Sequence, residues 1–555
     1  MDSIKAVFGG WLLAACAAMT GPATAAGISI AMAAEVTSID PHYHVLTPNL
    51  NISEHIFDTL IGRDETQRLK PALALSWRPI DDNTWEFRLR PGVKFHDGSD
   101  FSAEDVKFSI ERPATVKNSP SAFTIYTRPI KSIQIVDPLT IRLRTEGPYP
   151  LIPTDLSSLA IVSAKAAANA STDDFNSGKA AVGTGPFKFT RWARGDRIEL
   201  ARNDAYWGPK SPWESATFRL IPNDPARVAA LLSGSVQAVE NLPTADMARL
   251  RANRDFVLHR SISHRLIYLH LDSSRDKSPF IFDNEGKPLE RNPLKDVRVR
   301  RAISKAVNRD AIRDRVMEGA AQPTGQLMAE GFFGHTPKLR PEPFDPDGAK
   351  KLLADAGYPN GFALTLHAPN DRYVNDEQVA QAIAQMLSRA GIRTRVETMP
   401  SSVYFSRATK LEFSLMFLGW GADTGEASSP LKALLATFDR ERGMGTTNRG
   451  RYSNPAMDKL LAEALATVDD GRRARLLQEA TEAAIGDLGV IPLYTRSTSG
   501  RHAAASHTCH APTSAPTRMN SGRNRGVGRR YAIDGFRRAR GRKRSGGEAE
   551  VPVSD

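Results

Sequence analysis

A lone carboxylate stands at the end of an apolar run in the C-terminal half of the chain. The run, 413–418, is typical of a buried strand. It leads into Gly-Trp-Gly-Ala-Asp at 419–423, which supplies an aromatic ring at Trp420 and a single acid at Asp423. The end of a strand is a rigid place from which to present one flat apolar surface and one negative charge to a ligand. The alternative is a core tryptophan followed by an aspartate in a turn. The remaining sequence supplies the features that distinguish a ligand site from this alternative.

Patterns that would indicate catalysis are missing from the sequence. It contains no Gly-Xaa-Ser-Xaa-Gly, no His-Glu-Xaa-Xaa-His and no phosphate-binding Gly-Xaa-Xaa-Xaa-Xaa-Gly-Lys. His96 and Asp97 are adjacent and invite a catalytic-triad interpretation, but they lie in a turn-rich block. A peptide hydrolase is therefore the less favoured alternative, and no catalytic residue is assigned.

Metal binding has little support either. His42, His44 and His55 could meet around a metal ion, but no carboxylate or cysteine spacing supports such a site. Turn and surface histidines are the favoured interpretation. The two cysteines, Cys16 and Cys509, lie at opposite ends of the chain, which excludes a disulfide framework. We expect no metal and no cofactor.

The composition is that of a globular protein with more than one lobe. The chain has 555 residues, of which 41% are hydrophobic and 25% are charged. Its net charge of +12 is concentrated at the C-terminal end, because 497–555 carries 12 basic against 4 acidic residues, or +8, which leaves +4 for the rest. The body is only mildly basic, so its charge says little about its ligand.

Residues 1–26 have the features of a secretory signal peptide. Lys5 supplies a positive start, 7–19 is an apolar stretch too short to span a bilayer, and small residues at 23–25 suit cleavage. The mature chain would begin near Gly27, in the periplasm. Leu-Ala-Ala-Cys at 13–16 resembles a lipobox, and a form anchored through Cys16 is the less favoured alternative.

Short blocks follow one another in a fixed order between residues 69 and 106. Pro-Ala-Leu-Ala-Leu-Ser-Trp ends at Trp77, Asp-Asp-Asn occupies 81–83, and a predicted strand at 84–90 follows this turn. Gly-Val-Lys-Phe-His-Asp-Gly and Ala-Glu-Asp-Val complete the set, with Ser102 as the predicted cap of a helix. The ordered set resembles extracellular solute-binding protein family 5, the peptide, dipeptide and nickel-chelate binders of ABC importers. Later blocks extend the similarity over about 28–494.

This resemblance implies the type II periplasmic-binding-protein fold, an α/β fold in which two lobes close around a ligand and an additional domain is attached. In the family, the first lobe is built from separated stretches of chain. The predicted division is lobe I from 27–62, 186–272 and 490–496, additional domain II from 63–185, and lobe III from 273–489.

A peptide zwitterion needs a partner for each of its two charges, because an unpaired buried ion is very costly. The resemblance implies that Asp423 holds the ligand ammonium and that Arg372 grips its carboxylate with two parallel hydrogen bonds. Trp420 and Tyr373 complete this side of the predicted site, Trp420 as a wall of the pocket. The block reads Trp-Gly-Ala-Asp, and Tyr373 follows Arg372 directly, which is close to the family pattern but not identical. The alternative for Arg372 is a solvated loop residue.

The opposite lobe is expected to add backbone and hydroxyl contacts that hold the peptide like an added strand. The candidate is a loop at Thr47-Pro48-Asn49, ahead of a helix predicted over 53–61 with Ser53 as its cap. Thr47 and Asn49 are the predicted contacts, and a plain turn is the alternative.

The resemblance implies a binding protein rather than an enzyme. It would capture dipeptides or oligopeptides and deliver them to the permease and ATPase subunits of an ABC importer in the inner membrane. It would act as a monomer and would not bind nucleic acid. A nickel chelate, haem, an opine or an oligosaccharide is the alternative ligand.

The C-terminal end departs from the family pattern. The chain keeps Ile-Pro-Leu-Tyr at 491–494 and then continues in Ser, Ala, Gly and Arg. This composition lacks the apolar residues needed to pack, and it predicts a disordered tail over 497–555. We hypothesise a reading-frame change near 495–500. The gene sequence tests this, because the hypothesis fails if no other frame encodes a family-like end.

Overall fold

The computed structural model describes residues 27–64, 67–120, 122–258, 263–422, 424–496 and 506–508. The predicted signal peptide, the predicted ligand acid Asp423 and the predicted tail other than 506–508 lie outside these ranges. No helix within the described ranges is both long and apolar enough to cross a membrane.

Strands form the frame of the molecule. In chain order, those of the described residues are β1 (Gly27–Met32), β2 (Ile61–Arg63), β3 (Leu69–Pro71), β4 (Ala74–Asp81), β5 (Thr84–Leu89), β6 (Ile130–Asp137), β7 (Thr140–Thr145), β8 (Phe187–Ala193), β9 (Arg197–Arg202), β10 (Ser215–Leu220), β11 (Ala238–Glu240), β12 (Arg265–Leu271), β13 (Ile281–Phe282), β14 (Ala321–Pro323), β15 (Phe362–Pro369), β16 (Ile392–Met399), β17 (Leu415–Gly421), β18 (Ile491–Arg496) and β19 (Ser506–Thr508).

Helices cover and connect these strands. In chain order, those of the described residues are α1 (Thr47–Ile56), α2 (Ala103–Glu111), α3 (Thr124–Thr127), α4 (Ile152–Leu156), α5 (Ala164–Ala167), α6 (Thr172–Asn176), α7 (Asp224–Leu232), α8 (Thr244–Ala252), α9 (Val297–Ala306), α10 (Arg309–Ala311), α11 (Pro346–Asp355), α12 (Asp376–Arg389), α13 (Ser401–Thr409), α14 (Ser428–Pro430), α15 (Pro455–Leu465) and α16 (Asp470–Gly486). Short 3-10 turns occupy Arg112–Thr115 and Pro293–Lys295, and π turns occupy Ile312–Val316 and Leu431–Leu435.

Lobe I is built on a six-stranded sheet in the order β19-β11-β1-β10-β9-β8. β1 lies at its centre and pairs in parallel with both β10 and β11. Apolar side chains of β1, such as Ile30, pack in one core with Ile56 of α1. Removal of this apolar surface from water holds α1 on the sheet, and α1 carries the predicted contacts Thr47 and Asn49.

The additional domain contains a four-stranded sheet in the order β4-β5-β7-β6. Trp85, Phe87 and Leu89 of β5 are buried in its core. Of the intervening residues, Arg88 is exposed, whereas Glu86 is buried and pairs with Arg78 and Arg142. The hairpin of β2 and β3 precedes this sheet. The tip of that hairpin reaches lobe III, as described below.

Lobe III is built on a seven-stranded mixed sheet in the order β13-β15-β17-β12-β18-β14, with β16 paired to β15. β15 pairs in parallel with both β16 and β17, whereas β12 pairs antiparallel to β17 and β18. Ile303 of α9, Leu353 of α11 and Ile383 of α12 share one core with Leu366 of β15. This packing fixes the strands whose ends carry the predicted ligand residues.

The strand pairing differs from the predicted division at two strands and in the tail. The prediction assigns 186–272 and 490–496 to lobe I, but β12 and β18 within these ranges pair in the sheet of lobe III. In the tail, β19 pairs with β11 at the edge of the lobe I sheet, which departs from the expected disorder at these three residues. Pairing between strands distant in sequence decides sheet membership, and short-range patterns do not reveal it.

Local signals predict some helices well. The capping box at the start of α2 is confirmed, because Ser102 accepts from the main chain of the first turn and Asp105 bonds back to the Ser102 N–H. The spacing of Val379, Ile383, Met386 and Leu387 predicts an amphipathic helix over 375–391. This helix is confirmed as α12, with Val379, Ile383 and Leu387 buried.

The helix predicted over 53–61 is wrong at both ends. α1 begins at Thr47 and ends at Ile56, with Leu46 at its N-cap and no side-chain cap. Ser53, the predicted cap, lies inside the helix. A proline in the first turn marks the true start, because proline lacks only an N–H that is unpaired there in any case. The proposed loop at Thr47-Pro48-Asn49 is therefore the first turn of a helix.

Candidate ligand-binding site

Two neighbouring strands of lobe III end close to the predicted charged residues. β15 and β17 pair in parallel. β15 ends at Pro369, shortly before Arg372, and β17 ends at Gly421, shortly before position 423. Carboxyl ends of parallel strands share one edge of a sheet, and ligands of open α/β sheets bind in the crevice outside that edge. Arg372 and the chain position of the predicted acid therefore follow strand ends at the same edge.

Tyr373 connects these two strand ends. Its hydroxyl donates to the carbonyl of Gly419 at 3.2 Å and accepts from the Gly419 N–H at 2.9 Å. The ring is buried and meets Phe417 edge-on, with 6.0 Å between ring centroids. Burial raises the pKa of Tyr373, so the hydroxyl remains protonated and able to donate. Tyr373 thus fastens the segment carrying Arg372 to β17.

The guanidinium of Arg372 is exposed at the edge of the sheet. Its carbon lies 5.6 Å from the ring centroid of Tyr373. The main-chain N–H groups of both residues donate to one carboxylate oxygen of Asp376, at 3.0 and 2.9 Å, which fixes the backbone beneath the side chain. Among the described residues, no carboxylate pairs with this guanidinium. It is therefore available to an anionic group.

Trp420 is half-buried at the end of β17. The predicted strand ends at 418, but β17 continues to Gly421, so Trp420 is a strand residue opposite Leu266. Its indole N–H donates to the hydroxyl of Ser429 at 3.2 Å, and its ring packs against a core cluster of lobe III. One part of the indole is thus held by its own lobe while another part stays exposed.

The main chain on either side of position 423 is fixed by hydrogen bonds. Ala422 is buried, and its N–H donates to the carbonyl of His264 at 3.1 Å. The N–H of Gly425 donates to the carbonyl of Ala422 at 2.8 Å, which closes a turn. The main chain is therefore held at Ala422, before position 423, and at Gly425, after it.

The predicted contacts of lobe I have different environments. Asn49 is buried, its oxygen accepts from the N–H of Thr37 at 2.9 Å, and its nitrogen donates to the Thr37 hydroxyl at 2.9 Å. It ties the first turn of α1 to the segment after β1. Thr47 is exposed at the start of the helix. The Thr47 hydroxyl is therefore accessible to a ligand, whereas the side-chain amide of Asn49 is buried.

Lobes I and III meet beside this edge. The side-chain nitrogen of Asn375 donates to the carbonyl of Val316 at 2.8 Å and reaches the hydroxyl of Thr244 in α8 at 3.4 Å.

Within lobe I, Glu240 at the end of β11 accepts from Asn51 of α1 at 3.0 Å, and burial raises the pKa of the Glu240 carboxyl to about 7. Asn375 and Glu240 were not predicted from the sequence, since neither belongs to a recognisable motif.

The three histidines considered as metal ligands bond to separate groups. The ring of His42 bonds to a main-chain carbonyl at 2.8 Å, and burial lowers its pKa to about 4. His44 bonds to the hydroxyl of Thr37 at 3.1 Å, and His55 bonds to the carbonyl of Asn51 at 2.7 Å. The described part of the chain holds no group of three or more His, Cys, Asp or Glu that could bind a metal ion.

Comparison with known protein families identifies the family. The model of the bacterial extracellular solute-binding proteins, family 5 (middle region), matches residues 68–441. The chain belongs to this family. Similar proteins include the glutathione-binding protein GsiB of Pectobacterium atrosepticum, which is 30% identical over 501 residues that cover 87% of this chain and 92% of the relative.

Solved structures of family 5 type share the fold of this protein. The periplasmic binding protein DppA from Helicobacter pylori, in complex with the peptide STSA, has a TM-score of 0.64 and 28% identity over 85% of this chain and 93% of that chain. HbpA2 from Haemophilus parasuis has a TM-score of 0.73 and 24% identity over 85% of this chain and 94% of that one. The predicted type II periplasmic-binding-protein fold is confirmed.

Membership of family 5 also decides the class of function. Family 5 proteins are solute-binding components of ABC importers, and they bind their solutes without catalysis. The expectation of a transport receptor rather than an enzyme is confirmed. The similar proteins act in the periplasm.

A buried acid of the additional domain faces lobe III of this family 5 protein. Asp155 in α4 accepts from the hydroxyl of Tyr149 at 2.9 Å. The pKa of Asp155 is raised from 3.8 to about 8, mainly by burial. The charge of Glu426 acts in the same direction, and the hydrogen bond from Tyr149 acts in the opposite one. Asp155 is therefore largely protonated at neutral pH.

This pKa predicts how stability depends on pH. Between about pH 4 and 8, the folded protein keeps a proton on Asp155 that the unfolded chain has released, so stability falls as pH rises through this window. In Asp155→Asn the side chain carries no titrating proton. We expect the stability of this variant relative to the wild type to increase with pH, by at most about 1.4 kcal/mol per pH unit.

Thermal midpoints of the wild type and of Asp155→Asn, recorded at about pH 5 and about pH 8, measure this difference. Asp82→Asn, at an exposed aspartate of the additional domain, serves as the control. A gap between Asp155→Asn and the wild type that is the same at both pH values would contradict the assignment.

Proposed function

We propose that this family 5 protein binds short peptides with a free amino group and a free carboxylate, dipeptides in particular, in the crevice between lobes I and III. The ammonium is held by Asp423 and the carboxylate by Arg372. Trp420 forms part of the wall, and the exposed Thr47 hydroxyl adds a contact from lobe I. The loaded receptor then delivers the peptide to the permease of an ABC importer.

The observation that carries this proposal is the common edge at the ends of β15 and β17. An exposed guanidinium without a carboxylate partner among the described residues follows one strand, and the sequence puts a lone acid after the other. A charge-assisted hydrogen bond contributes about 1.5–3 kcal/mol. Two such contacts at opposite poles select a zwitterion over a neutral solute of the same size.

The names of similar proteins support the same class of ligand. One relative is named for glutathione binding, and one solved relative holds a peptide. Glutathione is a tripeptide with a free ammonium and free carboxylates, so it presents the same two poles at a greater separation. The length of the accepted peptide would follow from the distance between Asp423 and Arg372.

A thermal-shift screen of the full mature chain tests the proposal. We expect alanyl-leucine or a similar dipeptide to raise the thermal midpoint with increasing concentration, because a ligand that binds only the folded state stabilises it by RT ln(1 + [L]/Kd). Reduced glutathione and alanyl tripeptides test the length limit. Nickel with histidine, haem, an opine and maltotriose represent the alternative solutes.

Shifts produced by one of these alternative solutes and by none of the peptides would overturn the proposal. Chromatography of the incubated samples would also contradict the proposal if it showed that a peptide had been hydrolysed.

A further inference from the structure

Arg63 crosses from the additional domain to the segment that follows position 423. It lies at the end of β2 and is buried. Its Nη1 donates to the carbonyl of Thr424 at 2.8 Å and to the carbonyl of Gln67 at 3.2 Å, and its Nη2 donates to the carbonyl of Thr154 at 3.0 Å. One planar guanidinium thus joins three separate stretches of main chain, which a lysine ammonium does less well.

The hairpin tip and the segment after position 423 approach each other too closely for a side chain at Gly425. A Cβ placed there would lie 2.7 Å from the Cβ of Gln67 and 3.0 Å from the Nη1 of Arg63. Gly425 also has a φ of +74°, which favours glycine. Arg63 therefore sits directly against the backbone that it binds, with no layer of side chains between them.

The next residue anchors the same segment in lobe III. Glu426 is buried and pairs with Arg473 at 2.6 Å, and its other oxygen accepts from Ser428. The main chain around it pairs with Phe333, whose N–H donates to the carbonyl of Gly425 at 3.3 Å. The segment is thus held by lobe III at Glu426 and by the additional domain at Thr424.

We infer that Arg63 is a positioning residue for ligand binding: from the additional domain, it fixes the main chain at Thr424, the residue that directly follows the proposed ammonium-binding acid in sequence. This inference rests on the proposed function, in which Asp423 holds the ligand ammonium. Arg63 itself needs no contact with the peptide.

A consequence is that docking of the additional domain and ligand affinity are coupled. If the hairpin tip moves away from lobe III, the bond to Thr424 breaks and the turn loses one of its supports. A binding group must be held within a fraction of an ångström of its productive position. It loses much of its contribution to affinity when a residue that holds it there is removed. Coupling of this kind is reciprocal, so a bound peptide also favours the docked domain.

The test compares Arg63→Gln with Arg68→Gln in the full mature chain. Arg68 is a matched control, because it lies in the same hairpin segment, is exposed, and donates to a different carbonyl of lobe III, that of Gly331, at 3.1 Å. The probes are alanyl-leucine and N-acetyl-alanyl-leucine, with affinities measured by calorimetry and by competition. The acetylated probe lacks the ammonium that the acid would hold.

We expect Arg63→Gln to weaken the binding of alanyl-leucine on the order of tenfold and that of the acetylated probe by less than about twofold. Arg68→Gln should leave both affinities unchanged. A general disturbance of the pocket would weaken both probes equally in Arg63→Gln, and that result would overturn the inference, as would an unchanged affinity for alanyl-leucine.

Two further outcomes keep this inference separate from the proposed function. If the wild type binds both probes equally, or binds neither, the proposed function fails and the inference fails with it. If the wild type discriminates and Arg63→Gln discriminates equally well, only the inference fails. Should Arg63→Gln not fold, Arg63→Lys keeps the charge and is expected to lose part of the discrimination; full discrimination in this variant would overturn the inference.

Discussion

Replacing Asp423 by Asn is expected to weaken the binding of a free-amine dipeptide by roughly 10- to 100-fold. Asparagine keeps the size of the side chain but removes the negative charge, so the ligand ammonium loses a charge-assisted hydrogen bond of about 1.5–3 kcal/mol. Isothermal titration of the full mature chain with alanyl-leucine measures the change.

A matched variant separates this effect from a general change of charge. Asp355→Asn removes an exposed carboxylate at the end of α11 in the same lobe and should leave the dissociation constant unchanged. Far-UV circular dichroism should be the same for both variants. An Asp423→Asn protein that binds alanyl-leucine as tightly as the wild type would refute the assignment of the ammonium site.

Replacing Asp40 by Ala is expected to reduce the free energy of unfolding by about 3–5 kcal/mol, because it leaves a buried guanidinium without its partner. Asp40 and Arg112 form a bidentate pair at 2.7 and 2.8 Å, with side chains that are 0% and 5% exposed. Thr172 donates to the same carboxylate at 2.9 Å. Burial acts to raise the pKa of Asp40, but the hydrogen bonds and charge of Arg112 outweigh it, and the pKa is lowered.

Urea unfolding followed by tryptophan fluorescence and circular dichroism measures the loss. The control is Glu111→Ala, which breaks an exposed pair with Lys107 in the same helix and should change stability little. Because the pKa of Asp40 is lowered, its stabilisation is present above the ordinary value of 3.8 and disappears as pH falls below it. Equal stabilities of Asp40→Ala and the wild type at neutral pH would contradict this account.

Features that depend on neighbouring residues could be predicted from the sequence. The capping box at Ser102 needs only Asp105 three residues on, and the buried face of α12 follows from the spacing of its apolar residues. The apolar run before Trp420 likewise predicted β17, although the strand continues to Gly421. The resemblance to family 5 added the fold, because many weak blocks in one order are specific together.

Features that depend on distant residues could not be predicted in this way. β12 and β18 pair within lobe III, and Arg63 binds a carbonyl 361 residues away, so no local pattern marks either contact. The start of α1 was missed for a different reason. Ser53 matched the usual cap, whereas the actual start has Leu46 at the N-cap and only the proline of the first turn as a signal.

The residues of the proposed site fall into two groups: those that contact the ligand and those that hold the contacting residues in place. Arg372 is exposed and has no carboxylate partner among the described residues, which suits a ligand contact. Tyr373 and Asn49 use their polar groups to hold Gly419 and Thr37, which suits support of the residues beside them. Trp420 is held through its N–H and keeps part of its ring exposed. Support residues of this kind are expected to affect affinity indirectly.

The central claim is that a fixed acid and a fixed guanidinium neutralise the two poles of a small peptide. Calorimetric titration of the full mature chain with alanyl-leucine, its N-acetyl derivative and its C-terminal amide tests it most directly. The account predicts that each blocked peptide binds at least about tenfold more weakly than the free dipeptide, since each has lost one charge-assisted contact. Equal binding of the three peptides would contradict it.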